Sequence, residues 1–375
     1  MTSAPGIPSP RTRLAYIDWA RGLAVLLMIE AHTVDAWTRA SARHSVAFRD
    51  AIMVGGFAAP LFLWLAGVAL VLSAAAIVRR GGSRRAAAEA VCRRGLEIFI
   101  LAFLFRLQGF IVTPGAPPVS LFRVDILNIM GPGIVGAGLV WTLAKSPAVL
   151  AGVYACLAAA FAMLTPIVRT IGAIDRLPLW VQWYLRPAGD LTLFTAFPWA
   201  GFVFAGAAVG AVLLIPAAAA AGPGLAARRG PRRIHAGLAL AGLALVGVGF
   251  YTASLPAIYR QSSFWTSSPT YFAIRVGVIM AAFAILYAAE EIAGRWGVAL
   301  TALERFGRRS LFVYWIHVEL VYGYATWPIH GRLPLWGVGL AYVAFTALMY
   351  GAVLIFERLR APHQQITLQY KAQAV

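Results

Sequence analysis

The stretch Ala58-Ala-Pro-Leu-Phe-Leu-Trp-Leu-Ala-Gly-Val-Ala-Leu-Val-Leu-Ser-Ala-Ala-Ala-Ile-Val78 runs for 21 residues without a charge and stops at Arg79–Arg80. A helix that crosses a bilayer needs about 20 mostly apolar residues. Working outward, nine further apolar runs can be drawn: 14–34, 95–112, 125–143, 148–168, 192–215, 234–255, 270–289, 309–327 and 335–356, with 52–78 as the second of ten. The whole 375-residue chain is 61% hydrophobic and 12% charged, with a mean hydropathy of +0.76. A soluble chain averages about 45–50% apolar and about 25% charged. This composition excludes a disordered, coiled-coil, collagenous or disulfide-rich secreted protein. It predicts an all-α, polytopic integral membrane bundle of about ten transmembrane helices.

The formal charge of +18 raises the question of a nucleic-acid partner. Thirty of the 32 basic residues are Arg, and many form pairs between the apolar runs, such as Arg79–Arg80, Arg84–Arg85, Arg228–Arg229 and Arg308–Arg309. Such pairs mark cytoplasmic loops and attract anionic headgroups of the lipid bilayer. No groove of interleaved basic and aromatic residues accompanies them, so no nucleic acid is expected. With the N-terminus in the cytoplasm, and Arg309 at the edge of its run counted inside, 20 of the 32 lie inside, 9 outside and 3 (Arg21, Arg106 and Arg275) within spans. Ten helices then leave both termini cytoplasmic: a tail at 1–13, one transmembrane domain over 14–356, and a second tail at 357–375.

Other features set limits. The first run holds Asp18, Arg21 and Glu30, too many charges for a cleavable signal segment. Cys92 and Cys156 suit neither a disulfide nor a metal site, and no metal is expected. The outside loop 169–191 carries Trp180, Trp183 and Tyr184, which suit an interfacial or re-entrant segment. The Ala- and Gly-rich stretch 217–230 reads as a linker without chemistry.

Ionisable groups inside a bilayer cost about 2.5–3.5 kcal/mol each on insertion scales and ask for a reason. On a helix, Arg21 and His32 differ by about 20° and stand about 16 Å apart along the axis. Asp18 and Arg21 are i,i+3 neighbours, as are His32 and Asp35. One polar stripe therefore follows the first helix, while Glu30 falls on the opposite face. Arg106 and Gln108, then Arg123, Asp125 and Asn128, then Arg275, then His317 and Glu319 add polar groups on other helices. Together they imply a hydrated cavity in the outer half, reached from the cytosol by a polar track. Such a cavity would either conduct a polar or sugar-bearing solute or host a reaction between substrates from opposite sides.

Tyr16-Ile-Asp18-Trp-Ala-Arg21-Gly-Leu-Ala, with His32 after ten intervening residues, resembles the Arg-x10-His signature of the transmembrane acyltransferase superfamily. Further stretches fit in order: Phe57-Ala-Ala-Pro60, Arg123-Val-Asp125-Ile-Leu-Asn128, Phe197-Pro-Trp-Ala-Gly201 and Gly307-Arg-Arg-Ser310 through His317. The chain looks most like bacterial relatives of heparan-α-glucosaminide N-acetyltransferase, over most of its length. It departs from the expected pattern in having Asn128 where Gln is usual and Glu319 where an apolar residue or Pro is usual.

The resemblance implies transfer of an acyl group, acetyl by family default, from cytosolic acyl-CoA to a hydroxyl or amine of an extracytoplasmic sugar or glycan. Some relatives form homodimers, so a homodimer is among its implications, and the Arg and Ala bias of the composition points to a bacterial inner membrane. The CoA phosphates would suit the Arg-rich inner face, with the thioester passing Asp18 and Arg21 toward His32. There His32 would act as general base with Asp35 orienting it, or as the nucleophile of a double displacement. Arg123, Asp125, Asn128, Arg275 and His317 are the candidates for holding the acceptor or an oxyanion. A transporter or flippase remains the alternative, separated from the enzyme by acyl-CoA turnover.

Overall fold

The computed structural model describes residues 14–112, 117–189, 192, 194–215 and 225–373. Thirteen α-helices and no strand occur among them. They are α1 (Ala15–Trp37), α2 (Val46–Gly55), α3 (Ala58–Arg79), α4 (Arg84–Val112), α5 (Ile126–Val140), α6 (Pro147–Thr170), α7 (Leu179–Leu185), α8 (Ala196–Val212), α9 (Leu225–Ala253), α10 (Pro269–Trp296), α11 (Thr301–Arg308), α12 (Ser310–Tyr322) and α13 (Leu335–Gln373). The protein is an all-α integral membrane bundle. Every one of the ten apolar runs contains a helix. Among the described residues, six segments are long and apolar enough to cross a membrane: Val46–Arg79, Pro118–Val140, Pro147–Thr170, Gly230–Ala253, Pro269–Trp296 and Leu335–Arg360. Helices α8 and α12 are apolar but shorter, and α1 and α4 carry the charges described above.

Helix α13 runs unbroken through Gln373, so the segment expected as a tail from 357 is helical as far as that residue. The expected linker is helical from Leu225 onward, and residues 216–224 lie outside the described residues, as does the 1–13 tail. Of the three aromatic residues in the 169–191 loop, only Trp180 is exposed. Trp183 is buried and donates its indole N–H to the Ala188 carbonyl at 2.8 Å, while the Tyr184 hydroxyl meets Asn128. The Trp183 ring packs with Val124, Ile129 and Ala200.

Among the described residues, the core is three apolar clusters, the two larger of them joined by α1, with a small one at Val124, Ile129, Trp183 and Ala200. Leu63, Trp64 and Val68 of α3 pack with Phe202, Val203 and Ala207 of α8 and with Phe283 of α10. The second cluster sets Val25, Met28 and Ile29 of α1 against Val313, Val321, Val338 and Met349. Small residues let backbones touch where a lipid solvent gives no hydrophobic drive between helices. A Cβ at Gly206 would sit 1.8 Å from the Trp64 carbonyl oxygen, and one at Gly67 would sit 2.0 Å from that of Val203. Gly206→Val is therefore expected to cost about 3 kcal/mol, read as a lowered unfolding midpoint of the detergent-solubilised protein. An unchanged midpoint would mean that α3 and α8 do not meet there.

Residues far along the chain grip α1. Its first N–H groups, which have no partner within the helix, donate to Glu290 of α10: Ala15 at 2.9 Å and Tyr16 at 3.2 Å. A carboxylate at that end also suits the helix dipole. A Cβ at Gly307 of α11 would lie 1.9 Å from the Asp18 carbonyl oxygen. At the other end the Trp37 indole donates to the Val321 carbonyl at 3.2 Å, and Leu333 bonds the Trp37 carbonyl at 2.9 Å.

Candidate active site

A cavity of about 2180 Å³ opens between α1, α3, α4, α5, α10 and α12. Typical small-molecule pockets measure about 300–1,000 Å³, so this one has room for two substrates. Arg21, Arg94 and Arg308 line one end, and His32, Asp35 and Tyr322 line the other. The stripe read from the first helix is thus one wall of a continuous passage.

The structure sorts the remaining candidates. Asp18 is almost fully buried and is not part of the wall; it meets Arg21 at 3.3 Å and Arg308 at 3.7 Å and so orients two guanidiniums that are. Asp125 caps α5, and the Asn128 side-chain oxygen accepts from the Asp125 N–H at 2.9 Å in a reciprocal cap. The Asn128 amide also donates to the Tyr184 hydroxyl at 3.2 Å, and Asn128 lies off the cavity wall. Asp125 forms a largely buried ion pair with Arg106. His317 is fully buried behind His32, with ring centroids 5.2 Å apart, and its Nδ1 lies 2.9 Å from both the Val313 and Tyr314 carbonyls. It therefore buttresses His32 from outside the cavity wall. Arg123 and Arg275 do face the cavity. Glu30 lies behind the lining residue Gly55 and does not itself line the cavity, with one carboxyl oxygen lacking a hydrogen-bond partner among the described residues.

Around His32 the geometry differs from a direct His–Asp contact. The Tyr322 hydroxyl stands between them, 3.0 Å from His32 Nδ1 and donating to Asp35 Oδ2 at 2.9 Å. A tyrosine hydroxyl has one proton. Since that proton points at Asp35, Nδ1 must carry the hydrogen that bonds Tyr322. The neutral ring then keeps its lone pair on Nε2. The Asp35 carboxylate also lies 3.8 Å from the Arg43 guanidinium. Sequence reasoning missed Tyr322, because nothing local ties it to a residue 290 positions earlier.

The catalytic family described as heparan-alpha-glucosaminide N-acetyltransferase matches residues 13–228, more than half of the chain. The chain belongs to that family. A comparison with curated proteins gives no match. Membership makes the protein a membrane acetyltransferase, and acetyl-CoA is the donor that such enzymes use. The match covers α1 with both Arg21 and His32. Beyond residue 228 lie Tyr322, Arg275 and the Arg308 that faces Asp18, so the cavity is completed by the part of the chain outside the match.

Proposed function

We propose that the protein carries an acetyl group from cytosolic acetyl-CoA to an amine or hydroxyl of an extracytoplasmic sugar or glycan, with His32 as general base. The observation that carries this reading is the single cavity lined by Arg21 at one end and His32 at the other. The reading includes ten spans, cytoplasmic termini and a bacterial inner membrane. Arg21, Arg94 and Arg308 would receive the CoA phosphates, with which guanidinium forks pair well. The pantetheine arm would follow the wall between them, a helical distance of about 16 Å.

At the far end, the acceptor nitrogen or oxygen attacks the thioester carbonyl carbon. Its proton passes to His32 Nε2, the C–S bond breaks, and the CoA thiolate leaves to be protonated. Positive charge then grows on the imidazole, and Tyr322 relays the Asp35 carboxylate to it through two hydrogen bonds. Removing that relay by Tyr322→Phe is expected to lower kcat about 10- to 100-fold, the worth of a hydrogen bond to a charged group. KM for acetyl-CoA should stay within about twofold. A mutant with unchanged kcat would remove Tyr322 from the reaction.

The test of the function is release of free CoA thiol from acetyl-CoA by the purified, detergent-solubilised protein, offered amino sugars and glycans in turn. Turnover that depends on one acceptor supports the reading. Failure to bind acetyl-CoA at all would overturn it and favour transport of a polar solute through the same cavity.

A further inference from the structure

Helix α12 ends without a left-handed residue. Gly323, which follows it, is extended, with φ −85° and ψ −175°. A helix end leaves its last carbonyls without partners inside the helix, and a glycine at positive φ commonly closes the turn that satisfies them. Here side chains do so. The Thr326 hydroxyl lies 2.7 Å from the Leu320 carbonyl oxygen and 2.8 Å from that of Val321. The Val321 carbonyl also meets His330 Nε2 at 2.7 Å and the Trp37 indole N–H of α1 at 3.2 Å. A carbonyl oxygen only accepts, so His330 carries its ring hydrogen on Nε2. That is the opposite tautomer to His32.

The segment that supplies these caps also holds the end of α1. The Gly331 N–H donates to the Ala36 carbonyl at 3.0 Å and the Leu333 N–H to that of Trp37 at 2.9 Å, while the Leu333 carbonyl accepts from Arg39 at 2.9 Å. Gly331 makes the turn between cap and clamp at φ +63°, a conformation that glycine adopts without strain. Residues 326–333 therefore lock the ends of α1 and α12 to one another. Tyr322 is the neighbour of Val321, and its hydroxyl has to meet both His32 and Asp35 of α1. Whether it does so depends on the register that this lock sets.

From this geometry we infer that His330 and Thr326 are positioning residues for the transfer reaction: by capping the Leu320 and Val321 carbonyls they hold the Tyr322 hydroxyl between His32 and Asp35. Neither residue lines the cavity, so both act through Tyr322 and not on a substrate. The effect on turnover rests on the acetyl-transfer reading, whereas the effect on the His32 proton does not need turnover.

The experiment pairs steady-state kinetics with ring-nitrogen NMR of the full-length solubilised chain carrying isotope-labelled histidine. The His32 signals are those that disappear in His32→Ala. His330→Ala should lower kcat about tenfold, a modest share of what misplacing a reacting group can cost, and leave KM for acetyl-CoA within about twofold. Thr326→Val keeps the shape, removes the hydroxyl and should lower kcat in the same way. His330→Gln offers an amide N–H near the place of Nε2 and should restore most of the rate. In a Tyr322→Phe background, His330→Ala should cost less than about twofold more, because the group it positions is already gone. The His32 ring should also lose its fixed Nδ1–H form in His330→Ala, as it does in Tyr322→Phe. Thr326→Val carries the same tests if His330→Ala does not fold.

Unchanged kcat in the folded variants would overturn the inference. A further loss of about tenfold on top of Tyr322→Phe would overturn it too, as the mark of a general effect on the fold. If acetyl-CoA is never turned over, the acetyl-transfer reading fails and the ring signals decide alone. His32 losing its Nδ1–H form in the variants would then uphold the positioning role, and His32 keeping it would overturn that role.

Discussion

His32→Ala is expected to lower acetyl-CoA turnover by about 10²- to 10⁴-fold, the usual contribution of a positioned base. Binding of acetyl-CoA should persist, because Arg21, Arg94 and Arg308 lie at the opposite end of the cavity. The substitution removes the ring that Tyr322 holds at 3.0 Å and leaves the hydroxyl and Asp35 in place. It leaves His317 fully buried, with its Nδ1 placed on two backbone carbonyls, so no neighbouring imidazole is positioned to take over. Single-turnover kinetics on the native protein distinguish the two routes open to His32. A burst of CoA without acceptor would mean an acetyl-imidazole intermediate, whereas release only with acceptor would mean direct transfer. Undiminished turnover in His32→Ala would take this residue out of the chemistry altogether.

Asp125→Asn is expected to destabilise the protein by about 3 kcal/mol, the low end for breaking a buried ion pair. Asn retains the ability to cap α5, so the loss isolates the charge. Arg106 and Asp125 have side chains only 19% and 12% exposed. Glu319 offers Arg106 a second carboxylate nearby, which is why the low end applies. Replacing both partners, as Arg106→Met with Asp125→Asn, removes the orphaned charge and should recover most of the loss. Chemical unfolding of the solubilised protein reads the comparison. A double variant as unstable as the single one would show that the charge pair is not what holds α4 to α5.

The bundle was legible from apolar length alone, since each of the ten runs holds a helix. The wall formed by Arg21, His32 and Asp35 was legible too, because helical spacing puts those side chains on one stripe whatever surrounds them. Local spacing also contained the Asp125–Asn128 cap, an i,i+3 pair of cap-forming residues just before an apolar run. Reading both residues as acceptor ligands passed over that signal. Tyr322 was not legible. It sits in an aromatic-rich stretch from Tyr314 to Tyr324, where any tyrosine reads as an interface residue, and its partners come from the other end of the chain. The pairing of Arg106 with Asp125 across 19 positions was equally hidden. Sequence shows that an arginine is present, but only packing shows which carboxylates have been spent on others.

The grip on α1 by Glu290, Gly307 and Tyr322 sets a clock for biosynthesis. Helix α1 leaves the ribosome well before α10, and the carboxylate that caps it follows about 275 residues later. At about 5–20 residues per second this is a wait of roughly 14–55 s. During that interval Asp18 and Arg21 have each other at i,i+3, before Arg308 or Gly307 has been made. A nascent chain arrested before residue 290 should therefore hold α1 in a form more open to proteases than the finished protein does.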